Sequence, residues 1–413
     1  NLDKGTMRPY KLKKNYFKEI VHDLNLTGDA VKWEDVLSEY ANRYVVEKDR
    51  SFYLKEIAAE HIDQRTQTDD SYTFHYRVAD KDGALIHMEV SIVKIKDDTL
   101  QRHVIMTYRD ITDHIVGVRK ELTEKLNMEM DITSIREAVG AGRWFSSSTE
   151  ELTKEVDNYI NSAYSKIPKI EGQILGCISP HAGFRYSGPT AGYDFAALKK
   201  DAELHGQPDT VFIIGFSHSS HFSYAAVMDG KGIKSPITTT EIDFDSIKIM
   251  CNGRKNIKCS YKPHYGEHSA ENELPFVQRA FPNAKVVIIL VGTHESDVFQ
   301  EVADGLYDVS NQKKIYVVAS SDMLHNESHA LVEKVDRETI ALTEKMNVKG
   351  LLKEWSYDNQ IYCGISAVIP TMMYSIKKNC KKAITLDLTN SELVTKRMNS
   401  GYVVGYGAVV FVA

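Results

Sequence analysis

Three apolar, strand-like runs of this sequence each end in side chains that bind metals or move protons. His181 follows the first run, His218 follows the second, and Asp322 and His325 follow the third. The carboxyl ends of neighbouring parallel strands open onto one crevice, so residues far apart in the chain can converge there. The pattern therefore predicts a single site built at the ends of several strands.

A fifth candidate, Cys363, comes directly before a predicted helix that begins at Gly364. Free N–H groups and the positive dipole at a helix N-terminus favour a thiolate, which is the form that binds metals. Two imidazoles and a thiolate suit copper, iron or zinc. Each residue also has a structural alternative, since a lone histidine after a strand is often a hydrogen-bonded framework residue and a lone cysteine a small buried hydrophobe. Spacing alone leaves both interpretations open.

The elements that would position these residues alternate between strand and helix from residue 136 to the last residue. Such alternation predicts an α/β layered sheet, and we assign residues 139–413 to one large domain. The predicted strands are 173–179, 210–216, 223–229, 284–291, 314–320, 383–388 and 402–412. The predicted helices are 244–251, 270–280, 297–308, 329–345 and 364–378.

The first 115 residues read as a smaller α+β domain. Helices are predicted at 14–24, 33–43 and 47–62, and strands at 71–78, 85–95 and 103–108. The run FHYRVADKDGALIHMEVSI and the later VIMTYRDITD (104–113) resemble the second half of a PAS domain, with its first strand expected to be missing. The resemblance implies a sensor or dimerisation module. Residues 116–138, rich in Lys, Glu and Leu, are predicted to be a helical linker through which two copies of the chain could pair as a homodimer.

Bulk composition excludes several classes of protein. With 413 residues, 42% hydrophobic and 26% charged, the chain has the composition of a globular protein of two or three domains. The net charge of −6 argues against a nucleic-acid partner. No apolar run approaches the ~20 residues that span a bilayer, so no membrane association is expected. Five widely spaced cysteines without a CxxC pair favour a reducing, cytoplasmic location over a disulfide framework.

Five ordered motifs are similar to those of the Memo family: ISPHAGFRYSG, IIGFSHSSH, GEHSAENELPF, VVASSDMLH and YCGIS. The resemblance extends from GRWF to GYGAVVFV, about two thirds of the chain. It implies a fold like that of the class III extradiol dioxygenases, which use non-haem iron. It also implies His181, His218 and Cys363 as ligands to iron or copper, and Asp322 and His325 as pocket residues.

Neighbouring residues of these motifs receive weaker assignments. Ser269 is expected to cap a helix whose first turn contains Glu271. Because capping accounts for these two residues, His268 is the residue of this motif expected to face the pocket. It is a third catalytic candidate, beside Asp322 and His325. Gly183 and Gly188 are expected to let the backbone turn tightly beside the site. His325 is expected to be the acid–base residue, because an unperturbed imidazole titrates near neutral pH.

The leading hypothesis is a Memo-like metalloprotein with redox or oxygen-dependent chemistry at a His/His/Cys site, regulated by the PAS-like module. Cys363 stands where extradiol dioxygenases place a carboxylate, and Glu273 stands where the Memo pattern often has histidine. The first alternative is therefore a non-catalytic signalling or scaffold protein whose pocket binds a peptide or partner. The second is an iron-dependent extradiol-type dioxygenase. The family resemblance also allows a radical-SAM partner protein, although the chain itself has no CxxxCxxC motif.

Overall fold

The computed structural model describes residues 1–7, 31–68, 70–79, 84–95, 102–114 and 130–413. The chain divides into two compact units, Asn1–Leu122 and Thr123–Ala413. Each has its own hydrophobic core. The predicted helix at 14–24, the turns after the first two predicted strands and most of the linker lie outside the described residues.

In its described part, the first unit combines three helices with an antiparallel sheet. Strands β3 (Ser71–Ala79), β4 (Leu85–Ile95) and β5 (His103–Asp110) pair in that order. Buried positions of β3 alternate with more exposed ones, as expected for a sheet with one buried face. Four tyrosines, Tyr40, Tyr53, Tyr76 and Tyr108, meet in the interior. The elements are β1 (Thr6–Met7), β2 (Val31–Lys32), α1 (Trp33–Tyr44), α2 (Glu47–Glu56), α3 (Ala59–Thr68), β3 (Ser71–Ala79), β4 (Leu85–Ile95) and β5 (His103–Asp110). The likeness to PAS domains remains a prediction.

The single helix predicted for 47–62 is two helices. The break falls at Ile57, whose carbonyl accepts a hydrogen bond from the Trp33 indole at 3.1 Å instead of continuing the helical ladder. A local sequence pattern cannot reveal this interruption, because the interrupting side chain is 24 residues away.

The second unit is a mixed α/β structure. Residues 130–138, which the sequence analysis assigned to the helical linker, instead contain strand β6 (Ile135–Glu137). This strand pairs in parallel with β10 (Gly232–Lys234) and is therefore part of the second unit. The strands are β6 (Ile135–Glu137), β7 (Ile174–Ser179), β8 (Thr210–Phe216), β9 (Ala225–Val227), β10 (Gly232–Lys234), β11 (Thr239–Glu241), β12 (Ile257–Cys259), β13 (Lys285–Val291), β14 (Ile315–Ser320), β15 (His325–Asn326), β16 (Lys382–Asn390) and β17 (Val403–Val412).

Within residues 130–413, nine of these strands form the central sheet. The order is β12, β9, β13, β8, β14, β7, β17 and β15, with β16 also paired to β17. Strands β13, β8, β14 and β7 are mutually parallel, and β7 and β14 are buried at every position. Helices on both faces explain why these strands are continuous apolar runs. The carboxyl ends of the four strands consequently share one edge, as the sequence predicts.

Five helices of this unit agree with the predicted positions to within four residues, and the sequence analysis missed the other four, at Thr149–Tyr164, Phe184–His205, Val348–Glu354 and Ser391–Thr395. The helices are α4 (Thr149–Tyr164), α5 (Phe184–His205), α6 (Phe244–Cys251), α7 (Leu274–Ala280), α8 (Ser296–Ser310), α9 (His329–Glu344), α10 (Val348–Glu354), α11 (Ile365–Lys377) and α12 (Ser391–Thr395). Short 3-10 turns cover Lys262–His264 and Glu271–Glu273. Among the described helices of both units, none is long and apolar enough to cross a membrane.

Gly188 lies inside α5 and not in a turn. A Cβ atom at this position would come within 2.4 Å of the Tyr159 ring, and one at Gly192 within 2.6 Å of the Tyr159 carbonyl oxygen. Both glycines therefore let α5 approach α4 closely. The expectation of a tight turn at Gly188 was wrong because glycine serves close packing here and not a special backbone angle.

Candidate metal centre

The residues that follow the parallel strands meet at one edge of the central sheet. His181, Asp322 and Cys363 are buried, and each presents a ligand atom within 4.8 Å of the other two. The His181 and His218 rings are neighbours, with centroids 5.5 Å apart and planes nearly perpendicular. The three segments that carry the predicted ligands are thus brought together, while the ligand set itself remains a prediction.

The hydrogen bonds of His181 decide which of its nitrogens can bind a metal. Its Nδ1 lies 3.0 Å from Ser320 Oγ, and that hydroxyl donates its hydrogen to the Ser269 carbonyl at 2.6 Å. Ser320 must therefore accept from His181, which places the imidazole hydrogen on Nδ1. The lone pair is then on Nε2, 3.6 Å from Cys363 Sγ. Burial, followed by the neighbouring His218 and His268, holds the pKa of His181 well below its usual value, so the ring is neutral.

His218 is oriented in the same way by Glu267. The Glu267 carboxylate accepts from His218 Nδ1 at 2.9 Å and from the His218 backbone N–H at 2.6 Å. Burial opposes ionisation of Glu267, but these hydrogen bonds and others from the backbone lower its pKa to about 2. A carboxylate that fixes the imidazole hydrogen on Nδ1 leaves Nε2 free, which is the usual arrangement of metal-binding histidines.

Glu267 also joins a second group of residues with metal-ligand chemistry, together with His218 and His268. However, Glu267 additionally accepts from the backbone N–H groups of His268 and Ser269, both at 2.8 Å. Four N–H donors thus occupy this carboxylate. We interpret it as the group that positions His218 and not as a ligand.

Cys363 lies one residue before Gly364, the N-cap of α11. Its backbone N–H donates to the Asp322 carbonyl at 3.1 Å, and the Ser321 hydroxyl lies 3.8 Å from its Sγ. Burial, and then the negative charge of Asp322, raise the pKa of the thiol well above its usual range. Burial thus outweighs the stabilisation of the thiolate that is expected from the helix N-terminus. A thiolate here requires a cation beside it.

Asp322 holds the loop that carries His181. Its Oδ1 accepts from the backbone N–H groups of His181 at 2.8 Å and Ala182 at 3.2 Å. Burial raises the pKa of this carboxyl to about 7, although the two N–H donors oppose the shift. Asp322 is thus poised between its two protonation states near neutral pH, and it lies within reach of the same point as Cys363 and His181.

His325 has one engaged and one free ring nitrogen. Its Nδ1 lies 3.1 Å from the Tyr402 hydroxyl, while its Nε2 is buried without a hydrogen-bond partner among the described residues and lies 3.9 Å from Asp322 Oδ2. Burial, and then the nearby His218, lower the pKa of His325 to about 4. At neutral pH the ring is therefore uncharged and can accept a proton. Its catalytic role remains a prediction.

The His268 ring forms part of the wall of the site. Its ring is stacked between Trp144, with centroids 4.0 Å apart, and His218, with centroids 4.6 Å apart. Burial lowers its pKa to about 4. The catalytic role predicted for His268 remains a prediction.

The sequence analysis misassigned one residue and overlooked others. Ser269 caps no helix: its hydroxyl donates to the Phe216 carbonyl at 2.6 Å and accepts from the Phe216 N–H at 3.2 Å, which ties the loop to the end of β8. Ser320, Glu267 and Trp144 were not singled out. Glu267 adjoins His268 in the GEHS motif, and that adjacency was the available signal. Nothing in the sequence marks Ser320, since its role depends on a residue 139 positions away.

Comparison with known proteins agrees with the motif series. The family model described as Memo-like protein matches residues 136–410. A MEMO1 family protein of Pyrobaculum aerophilum is 27% identical over 286 residues, covering 67% of this chain and 99% of that protein. One from Nitrosopumilus maritimus is 28% identical over 282 residues, covering 67% of this chain and all of that protein. One from Saccharolobus islandicus strain M.14.25 is 31% identical over 282 residues, covering 66% of this chain and 97% of that protein. Through its second unit, the chain belongs to the Memo family.

Proposed function

We propose that the Memo-like unit binds one iron or copper ion through His181, His218 and Cys363 and uses it for redox or oxygen-dependent chemistry. One observation carries the proposal: both imidazoles have Nδ1 committed to an acceptor, so both Nε2 lone pairs are free, and one of them lies 3.6 Å from Cys363 Sγ. Nitrogen and sulfur donors of this kind suit both metals. When bound, the ion would supply the one-electron and dioxygen chemistry that side chains lack.

In this proposal, the residues around the metal position the substrate and move protons. His325 donates its Nδ1 hydrogen to Tyr402 and takes a proton from the substrate at Nε2, the atom that has no partner within the described structure. Asp322 lies 3.9 Å from that atom and can stabilise the imidazolium that forms. Trp144 and His268 stack face to face, with ring centroids 4.0 Å apart, and form a flat wall beside His218.

A second candidate, extradiol-type cleavage of a catechol-like ring by iron, is favoured by the position of Asp322. Its carboxylate lies within 4.8 Å of the ligand atoms of His181 and Cys363, so a His/His/carboxylate set is available beside the His/His/Cys set. Iron accepts oxygen ligands readily, whereas copper favours the softer thiolate. Copper in the purified protein would therefore argue against the second candidate, whereas iron is compatible with both.

We expect His325→Ala to leave the metal content unchanged and to reduce turnover by roughly 100- to 10,000-fold, the usual contribution of a general acid or base. Oxygen uptake by the iron-loaded protein with a panel of catechols is the assay, and His205→Ala, which alters a histidine at the far end of α5, is the control. Loss of metal in the His325 variant would instead make this residue a ligand. Absence of uptake by the wild type with every catechol would argue against the ring-cleaving candidate.

The remaining assignments are proposals from the sequence. The resemblances support regulation by the PAS-like unit, homodimerisation through that unit and the linker, and a radical-SAM protein as partner, while the cysteine pattern supports a cytoplasmic location. The scaffold alternative is supported if substitutions at the three ligands abolish metal binding while a partner protein still binds with unchanged affinity.

A further inference from the structure

A polar cleft of about 920 Å³ opens beside the candidate metal centre. Its walls come from the 142–147 loop, the first turn of α5 and the segment 391–406. The predicted metal ligands do not line the cleft, but three of its lining residues adjoin residues of the site: Ala182 follows His181, Trp144 stacks on His268, and Tyr402 contacts His325. A molecule in the cleft would therefore reach the centre with one end.

The charge of the cleft differs from that of the whole chain. Three arginines, Arg143, Arg185 and Arg397, line it, against a single acid, Glu155. The net charge of the chain is −6, so this concentration of positive charge is local. None of the three guanidinium groups forms an ion pair with an acid of the described residues, and all three residues are exposed. The positive charge of these arginines is therefore available to an anionic ligand.

One contact orients an arginine of the cleft, and a helix N-terminus adds to its positive charge. Arg185 lies over the Tyr186 ring, 4.5 Å from its centroid, and donates to the Tyr186 hydroxyl at 2.7 Å. The cleft also receives the N-terminus of α5, a 22-residue helix with no acidic residue in its first turn and no side-chain cap. The positive end of a helix and guanidinium groups both favour anionic oxygens, and arginine binds them through two parallel hydrogen bonds.

From this arrangement we infer that the cleft binds the anionic end of a small organic molecule, a carboxylate or a phosphorus oxyanion, whose other end reaches His325 and Trp144. The inference names the substrate class of the proposed function and rests on it for the role of the bound molecule. Anion binding itself requires only the arginines and not the metal.

The test measures binding of three probes that share a benzene ring and differ in the head group: benzoate, phenylphosphonate and neutral benzamide. Isothermal titration calorimetry on the full-length protein, metal-free and metal-loaded, gives each affinity. We expect at least one anion to bind at least 10-fold more tightly than benzamide. The head group with the higher affinity identifies carboxylate or phosphorus oxyanion as the natural one.

The triple variant Arg143→Gln, Arg185→Gln, Arg397→Gln is expected to weaken anion binding roughly 30-fold or more, because it removes charge-assisted hydrogen bonds. The matched control is Arg337→Gln, Lys349→Gln, Lys353→Gln, which removes the same charge from exposed positions on α9 and α10. The control should bind as the wild type does. Equal affinity for benzamide and the anions, or equal losses in the two variants, would overturn the inference.

A further variant tests this inference separately from the proposed function. In the His181→Ala, His218→Ala variant, anion affinity should stay within about 3-fold of the wild type, since the arginines are untouched. A protein that binds the anions but no metal would refute the proposed function alone. A protein that binds metal but neither anion would refute the cleft assignment alone.

Discussion

Cys363→Ser is expected to weaken copper binding by roughly 100-fold or more, because it replaces the soft thiolate ligand with a hydroxyl that remains protonated at neutral pH. The Cu(II)-loaded wild type should show a thiolate-to-copper charge-transfer band in the visible spectrum, and the variant should lack it. Folding should change little, since the substitution exchanges one buried atom for another of similar size and the Ser321 hydroxyl remains beside it.

The control for this variant is Cys380→Ser. Cys380 is also buried, but its Sγ contacts the Lys382 carbonyl and the Met346 sulfur, away from the candidate centre. It should retain the copper affinity and the visible band of the wild type. If Cys363→Ser binds copper as tightly as Cys380→Ser and keeps the band, Cys363 is not a ligand, and Asp322 becomes the candidate for the third position.

Glu273→Gln is expected to stabilise the metal-free protein at alkaline pH. Glu273 is buried, with one oxygen 3.1 Å from Ser320 Oγ, and burial raises its pKa to about 8. In the unfolded chain the same group has a pKa of about 4.3. Between these values the folded protein holds a proton that the unfolded chain has released. Stability is therefore greatest below about pH 4 and falls as the pH rises towards 8.

Glutamine has the same shape and cannot ionise, so the variant should lose this component of the pH dependence. Its free energy of unfolding should exceed that of the wild type by roughly 4 to 5 kcal/mol at pH 8, by roughly 1 kcal/mol at pH 5, and by nothing below about pH 4. Urea unfolding from pH 5 to 8.5 measures it, with exposed Glu354→Gln as the control. Parallel curves for wild type and Glu273→Gln would show that Glu273 is ionised in the folded protein.

The parallel strands and their shared edge were predictable because burial on both faces turns each strand into a plain apolar run. Thr210–Phe216 and Phe244–Cys251 have the predicted bounds, and most of the other predicted elements differ from the structure by one or two residues. By contrast, α5 begins inside a motif that contains Gly188 and Pro189, residues that usually signal a turn. The close packing of Tyr159 against Gly188 and Gly192 explains why glycine occupies these positions of the helix.

In the site as well, some residues could be predicted from the sequence and others could not. His181, His218 and Cys363 were identified from motifs that carry them at the ends of strands and at the start of a helix. Ser320 and Glu267 determine which imidazole nitrogen is free, and these contacts join segments 139 and 49 positions apart. The pKa values of His325 and Cys363 were likewise unpredictable, because burial, which shifts both, is a property of the fold and not of the motif.

The most direct test of the central claim is elemental mass spectrometry on protein purified without oxygen. The wild type is compared with His181→Ala, His218→Ala and with a control that removes two histidines elsewhere in the same unit, His205→Ala, His329→Ala. The proposed site predicts nearly one iron or copper per chain in the wild type and in the control, and less than a tenth of that in the first variant. A wild type that holds no transition metal and cannot be reconstituted with iron or copper would contradict the claim.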